Sequence, residues 1–273
     1  MAADPERILR WRDGRLTPAP PGSSRLLVAD SFLLADGAVV ALDRHRDRFL
    51  SSVRDPAVAA LAGGPPAGDE EAFWTAAVGA LPRAAAWFPR LELADAGGGP
   101  ELRLRLRPAP RLATTVTVAT WTGADPRRVP HVKGPDLEAL LAVRAAVVQQ
   151  GAGDAVLVAP DGAVCDGATS AIAWWEDNVL CFPPAELPRV DSVTARCLAA
   201  LAHEAAVPVR HRSRRPEELA GREVWMLSAL HGIRRVEQWI GGPGLPPDAG
   251  RLEPWRSRLE FLRRPVDAGS AGD

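Results

Sequence analysis

The spacing of hydrophobic and polar positions changes repeatedly along the chain, and each change predicts an element. Residues 1–24 are polar and rich in proline and glycine, which predicts a partly ordered arm. Leu26 to Asp30 and Ala38 to Leu42 are apolar runs joined through Asp36-Gly37, a hairpin-turn dipeptide. Asp43 predicts the N-cap of a short helix carrying His45, Arg48 and Phe49. Pro56 to Ala62 and Glu70 to Leu81 predict helices, and Ala86 to Ala94 a strand. Leu102, Leu104 and Leu106 alternate with Arg103, Arg105 and Arg107, the period of a half-buried strand whose arginines face solvent. Ala113 to Trp121 is a β-branched strand run.

Residues 122–130 are turn-rich and predict a connector between a small domain over 1–121 and a larger one over 131–273. A helix follows from about Pro135 and ends at Gly151. Two hairpins are predicted next, around Asp161-Gly162 and around Glu176-Asp177-Asn178. Asp191 and Ser192 can cap a helix running to about Ala205. Val207 to Val209, Glu223 to Leu227 and Ile233 to Trp239 read as strands, Leu252 to Leu262 as a last helix, and 265–273 as a frayed tail. The pattern is that of an α/β (α+β) chain with no internal repeat.

Composition narrows the function. The 273 residues carry a net charge of −1, which argues against a nucleic-acid partner held by bulk electrostatics. No apolar run reaches the roughly 20 residues that span a bilayer, and the acidic start does not read as a signal peptide, so a cytoplasmic protein is expected. Three separated cysteines and five histidines form no ligand pattern, so no metal site is expected. The informative count is one lysine, Lys133, among 32 arginines, with no tyrosine. Codon bias explains the arginines. It does not explain the exception, because arginine can replace lysine as a charge but not as a neutral amine nucleophile.

A pyridoxal phosphate enzyme needs a lysine, a carboxylate against the pyridine nitrogen and donors for the phosphate. The chain supplies each. Lys133 ends an extended segment just before a helix. Val164-Cys165-Asp166-Gly167-Ala168-Thr169-Ser170 follows a hairpin. Ser192-Val193-Thr194 opens an amphipathic helix, whose first N–H groups are unpaired within the helix. Ser228-Ala229-Leu230-His231 links two strands.

With these motifs the chain resembles the class IV aminotransferases, the fold-type IV pyridoxal phosphate enzymes that include branched-chain and D-amino acid aminotransferases and 4-amino-4-deoxychorismate lyases. The resemblance runs from about Leu26 to Gly241. The family's H-x-x-R pattern corresponds to His45-Arg46-Asp47-Arg48, which implies Arg48 as a phosphate ligand. The Schiff-base lysine corresponds to Lys133, the T-E-x-x-x-S-N segment to residues 165–171, and the G-I-T phosphate loop to Ser192-Val193-Thr194. Ser228 and Ala229 are implied near the cofactor. Ser31 lies where lyase-like members place a hydroxyl. Arg107 and His231 are implied near the substrate. Leu137 stands where aminotransferases carry a tyrosine and lyases a leucine, and Ser228-Ala229-Leu230 is similar to the lyases' N-A-L string. The chain departs from the family pattern at Asp166 (a glutamate in the family), Ala171, Ser192, Ala195 and Arg235.

The resemblance implies a small N-terminal α/β domain, a larger β-barrel-like domain with flanking helices, a pyridoxal 5'-phosphate held between them, and a homodimer. It implies a lyase converting 4-amino-4-deoxychorismate, a small amino substrate, to 4-aminobenzoate and pyruvate through a Lys133 Schiff base. The alternatives are an aminotransferase acting on branched-chain or D-amino acids, and a catalytically impaired member serving as a binding or scaffold protein.

Overall fold

The computed structural model describes residues 6–20, 22–64 and 68–266. It divides into two compact units: residues 1–111 with 132–135 and 262–273, and residues 112–131 with 136–261.

The first unit begins with β1 (Arg7–Arg12) and β2 (Arg15–Ala19), paired antiparallel across Asp13-Gly14. The expected arm is therefore a hairpin as far as it is described, because Ile8 is buried on the sheet and β1 finds a partner far along the chain. Next come β3 (Arg25–Ser31), β4 (Leu34–Ala35) and β5 (Ala38–Val40). The Asp36-Gly37 turn joins β4 to β5 rather than to β3, since β3 pairs with a later strand. Helices α1 (Leu42–Val53), α2 (Pro56–Ala62) and α3 (Glu70–Gly79) follow. Ala41, in the left-handed region, is the N-cap of α1, and Asp43 sits inside the first turn, where its charge still favours the helix dipole. Then come β6 (Ala86–Trp87), β7 (Arg90–Asp95) and β8 (Pro100–Leu106).

One antiparallel sheet runs β2-β1-β8-β7-β3, with α1 and α2 packed on β3. Phe49 is the hub of the core beneath it, with ring centroids 5.9 Å from Phe73 and 5.7 Å from Trp74. The arginines of β8 are not a solvent face. Arg103 is buried against Glu101 and Ser24, and Arg105 is paired with Glu92, because acids on β7 and on β8 itself cover that side. A second, four-stranded sheet ends on β17 (Arg263–Pro265), so the start of the expected tail is ordered by pairing with β5. Residues 267–273 of that tail lie outside the described residues.

The second unit begins at Leu112, earlier than the expected boundary at 121. The reason is β9 (Thr115–Thr120), which pairs in parallel with β10 (Asp154–Val158) and with a strand near the C-terminus. Between β9 and β10 runs α4 (Leu137–Val148), the crossover that a parallel pair requires. The predicted hairpins are β10 with β11 (Val164–Gly167), and β12 (Ala171–Glu176) with β13 (Val179–Phe182). Helix α5 (Val193–Glu204), β14 (Val209–His211), β15 (Val224–Ser228), β16 (Gly232–Ile240) and α6 (Leu252–Glu260) complete the unit.

Its eight strands are ordered β11-β10-β9-β16-β15-β12-β13-β14. The Val164 N–H at the head of β11 donates to the Arg214 carbonyl just past β14, 2.7 Å away, so the two edges approach and the sheet curls towards a barrel. Val118, Val156, Ile172, Trp174, Met226 and Val236 fill one core cluster, and α4 covers another with Val143 and Val147. No helix among the described residues is long and apolar enough to cross a membrane.

Candidate active site

Each unit carries its own group of candidate side chains. In the first, residues 132–135 lie along β3. The Ala29 N–H donates to the Lys133 carbonyl at 2.7 Å. Gly134 makes this approach possible. Its φ is +140°, and a Cβ there would stand 2.7 Å from the Val28 Cα and the Ala29 nitrogen. The only lysine is thus carried by backbone locked to a strand, half-buried rather than in a loose surface turn.

The next residue of β3, Asp30, is fully buried. Its carboxylate accepts from His45 Nδ1 at 2.7 Å, and from Arg48 Nε and Nη2 at 2.7 and 3.0 Å. His45 and Arg48 are three residues apart, so they project from one face of α1. Burial alone would raise the Asp30 carboxyl, but the Arg48 guanidinium and the His45 hydrogen bond outweigh it and hold it at about 2. Burial depresses the His45 ring, and Arg48 and Lys133 push it the same way against Asp30. A neutral His45 donating from Nδ1 fits both groups, because a carboxylate can only accept. Arg48 therefore supplies the positive charge of this cluster, anchored by two of its nitrogens to the Asp30 carboxylate that balances it.

Ser31 closes β3, buried and in register with Arg90. Arg107 donates from Nε to the Phe88 carbonyl at 3.2 Å, and its guanidinium carbon lies 5.0 Å from the centre of the Phe88 ring. Burial, then the nearby Arg90 charge, pushes Arg107 down to about 10. The Glu92 carboxylate serves Arg90 and Arg105 instead, which leaves Arg107 suited to an incoming carboxylate.

In the second unit, Asp166 on β11 is buried, and burial pushes its carboxyl up to about 7 against the opposing Arg127 charge. Ser192 caps α5, its Oγ accepting from the Ala195 N–H at 3.3 Å. Val193 and the Thr194 hydroxyl follow in the first turn, both buried, at the positive end of a twelve-residue helix. Arg196 is exposed and paired with Asp191 at 3.1 Å, so it belongs to the surface. Ser228 Oγ accepts from the His231 N–H across the turn that contains Ala229, and His231 Nδ1 accepts from the Ala113 N–H at 3.2 Å. That acceptor role matches a ring held down at about 4 by burial and by Arg234, Arg144 and Arg256. Leu137 is the half-buried first residue of α4.

Three features escaped sequence reasoning. Asp30 reads as the polar end of a strand, though an acid closing the run Leu-Leu-Val-Ala is itself a signal. Arg127 reads as part of a connector. The third is a buried network in which Asp154 accepts from Ser170 Oγ at 2.7 Å while Arg234 donates to the same hydroxyl at 2.9 Å. Among the described residues no group of side chains could hold a metal ion.

The donor set can be tested against pyridoxal phosphate. One amine, one buried carboxylate poised to take or release a proton, an anchored guanidinium and a helix N-terminus with a buried hydroxyl are the types of group that the cofactor requires, and all are present.

Solved structures define the class to which this fold belongs. A fold IV-transaminase from Curtobacterium pusillum superposes with a TM-score of 0.71 at 18% identity, over 94% of this chain and 98% of its own. A branched-chain aminotransferase from Thermoproteus uzoniensis gives 0.76 at 17%, over 96% and 100%. A hypothetical aminotransferase from Mycobacterium tuberculosis, in a PLP-bound form, gives 0.70 at 20%, over 94% and 98%. The chain has the mixed α/β, curled-sheet fold of these fold-type IV proteins. It belongs to the amino-transferase class IV family, pyridoxal phosphate-dependent enzymes whose pattern matches residues 27–239. No curated protein matches its sequence.

Proposed function

We propose that the protein is a pyridoxal phosphate-dependent lyase resembling aminodeoxychorismate lyase, converting 4-amino-4-deoxychorismate to 4-aminobenzoate and pyruvate. The observation that carries this reading is the setting of the only lysine: its backbone is locked to β3 and its charge reaches the buried His45. A lysine spared by codon bias alone needs no such setting. Leu137 and the Ser228-Ala229-Leu230 turn support the lyase branch over an aminotransferase.

When bound, the cofactor supplies an electron sink for the charge that develops beside the substrate amine. Lys133 Nζ would hold the cofactor and, once released by the incoming substrate amine, would be the base for the proton on the carbon that bears that amine. Asp166 would serve the pyridine nitrogen, keeping it protonated. The first N–H groups of α5 and the Thr194 hydroxyl would offer donors to the cofactor phosphate, and the family resemblance assigns Arg48 the same role. Arg107 orients a substrate carboxylate, and Ser31 and His231 line the substrate's side. Loss of pyruvate leaves an aromatic ring, which makes the step downhill. The reading extends to a cytoplasmic homodimer.

Protein purified with the cofactor should be yellow, and borohydride should fix the cofactor on Lys133. Incubation with 4-amino-4-deoxychorismate should release pyruvate without a keto acid acceptor. A strict requirement for an acceptor would make the enzyme an aminotransferase. A colourless protein that takes up no cofactor would leave only a binding or scaffold role.

A further inference from the structure

Arg127 lies in the turn-rich segment before Lys133, yet its side chain is only 3% exposed. Burying a guanidinium is costly unless its donors are matched. Asp125 matches most of them: Nε donates to both its oxygens at 3.0 and 3.1 Å, and Nη2 donates to Oδ2 at 2.7 Å. The Arg127 backbone N–H also donates to Asp125 Oδ1 at 3.0 Å. Two residues on, the Val129 N–H donates to Asp136 Oδ2 at 2.8 Å, which anchors the segment itself. The fork is thus held rigid from behind. Its remaining nitrogen, Nη1, lies 3.3 Å from Asp166 Oδ2, and Nη2 also reaches Cys165 Sγ at 3.6 Å.

One cation therefore stands between two carboxylates. Asp125 neutralises it and also aims it. Asp166 depends on what remains of its field, with Arg189 adding positive charge and Asp154 negative. We propose that Arg127, clamped by Asp125, is the positioning residue that favours the ionised form of Asp166 and orients it for the group it serves. The proposal rests on the reading that Asp166 serves the pyridine nitrogen. It also accounts for how the shorter aspartate is tolerated. A side chain with one methylene fewer cannot search for its partner, so its orientation is set from behind by a fixed fork.

Asp166 can be followed directly by carbon NMR of aspartate-labelled full-length chain across a pH range. Its carboxyl should titrate near 7 in the parent protein. In Arg127→Gln it should become a roughly tenfold or more weaker acid. Arg127→Lys, which keeps the charge but not the fork, should move it less. In the cofactor-loaded enzyme the acid limb of kcat/KM should shift in the same direction as the NMR titration for each variant. An Asp166 titration unmoved by Arg127→Gln overturns the proposal. Asp166→Asn separates this from the underlying reading. Near-normal turnover in that variant removes the role of Asp166, and the proposal falls with it. Lost turnover there, together with an unmoved titration in Arg127→Gln, defeats the proposal alone.

Discussion

Asp166 sits where its chemistry conflicts with its environment. Burial raises its carboxyl from 3.8 to about 7, so the folded state binds a proton there more tightly than the unfolded chain does. That contribution to stability is complete below about pH 4 and is lost as pH rises through about 7. Replacing the group by a neutral amide removes the cost of ionising it. Asp166→Asn is therefore expected to raise stability at pH 8 by a few kcal/mol, on the order of what the displaced carboxyl implies. The same variant should retain the cofactor and lose turnover by roughly 10²-fold or more, as expected when a group that stabilises developing charge is removed. Denaturant unfolding and steady-state kinetics on one preparation check both. Unchanged stability at pH 8 would show that water or a neighbour already relieves the buried charge. Residue identity alone, an aspartate where the family has glutamate, discloses the position but not this conflict, which burial creates.

The elements with local causes follow the sequence closely. Asp161-Gly162 and Glu176-Asp177-Asn178 turn the β10-β11 and β12-β13 hairpins, because turn chemistry is decided by adjacent residues. Ser192 caps α5 for the same reason. Where partners are distant, the pattern misleads. The leucine and arginine alternation of β8 has the period of a strand with a wet face, but acids on β7 and on its own strand cover that face. The 132–135 segment is the sharpest case. Its fit against β3 depends on a glycine whose neighbours are more than a hundred residues earlier. Gly134→Ala should place a methyl group against the Val28 and Ala29 backbone in a conformation that alanine avoids. We expect a loss of roughly 1–3 kcal/mol from the backbone conformation alone, read as a lowered Tm. Borohydride labelling of Lys133 should fall with it. A variant of parental Tm and labelling would mean that the segment is free to shift.

At the scale of the whole chain, Asp30 should be among the last carboxylates of the first unit to take a proton as the pH falls. Asp30, held at about 2 by Arg48 and His45 against its own burial, stabilises the fold fully above about pH 4. This contribution, about 2 kcal/mol, is lost as pH falls towards 2. Asp30→Asn should flatten that limb of the pH–stability curve, and an unchanged limb would assign acid unfolding to other carboxylates. The sequence by itself determined the alternation of strands and helices, the hairpin turns, the helix cap and the presence of one amine among the basic side chains, since each rests on neighbouring residues or on residue type. The motif order from Lys133 to His231 was likewise readable. Only the tertiary structure decided that β9 belongs with the second unit, that Asp30 gathers His45 and Arg48, and that Arg127 reaches Asp166 across 39 positions of chain. Those relations are made by strand pairing and by the matching of buried charges. Both are settled by which distant segments pack together, and no local period in the chain encodes them.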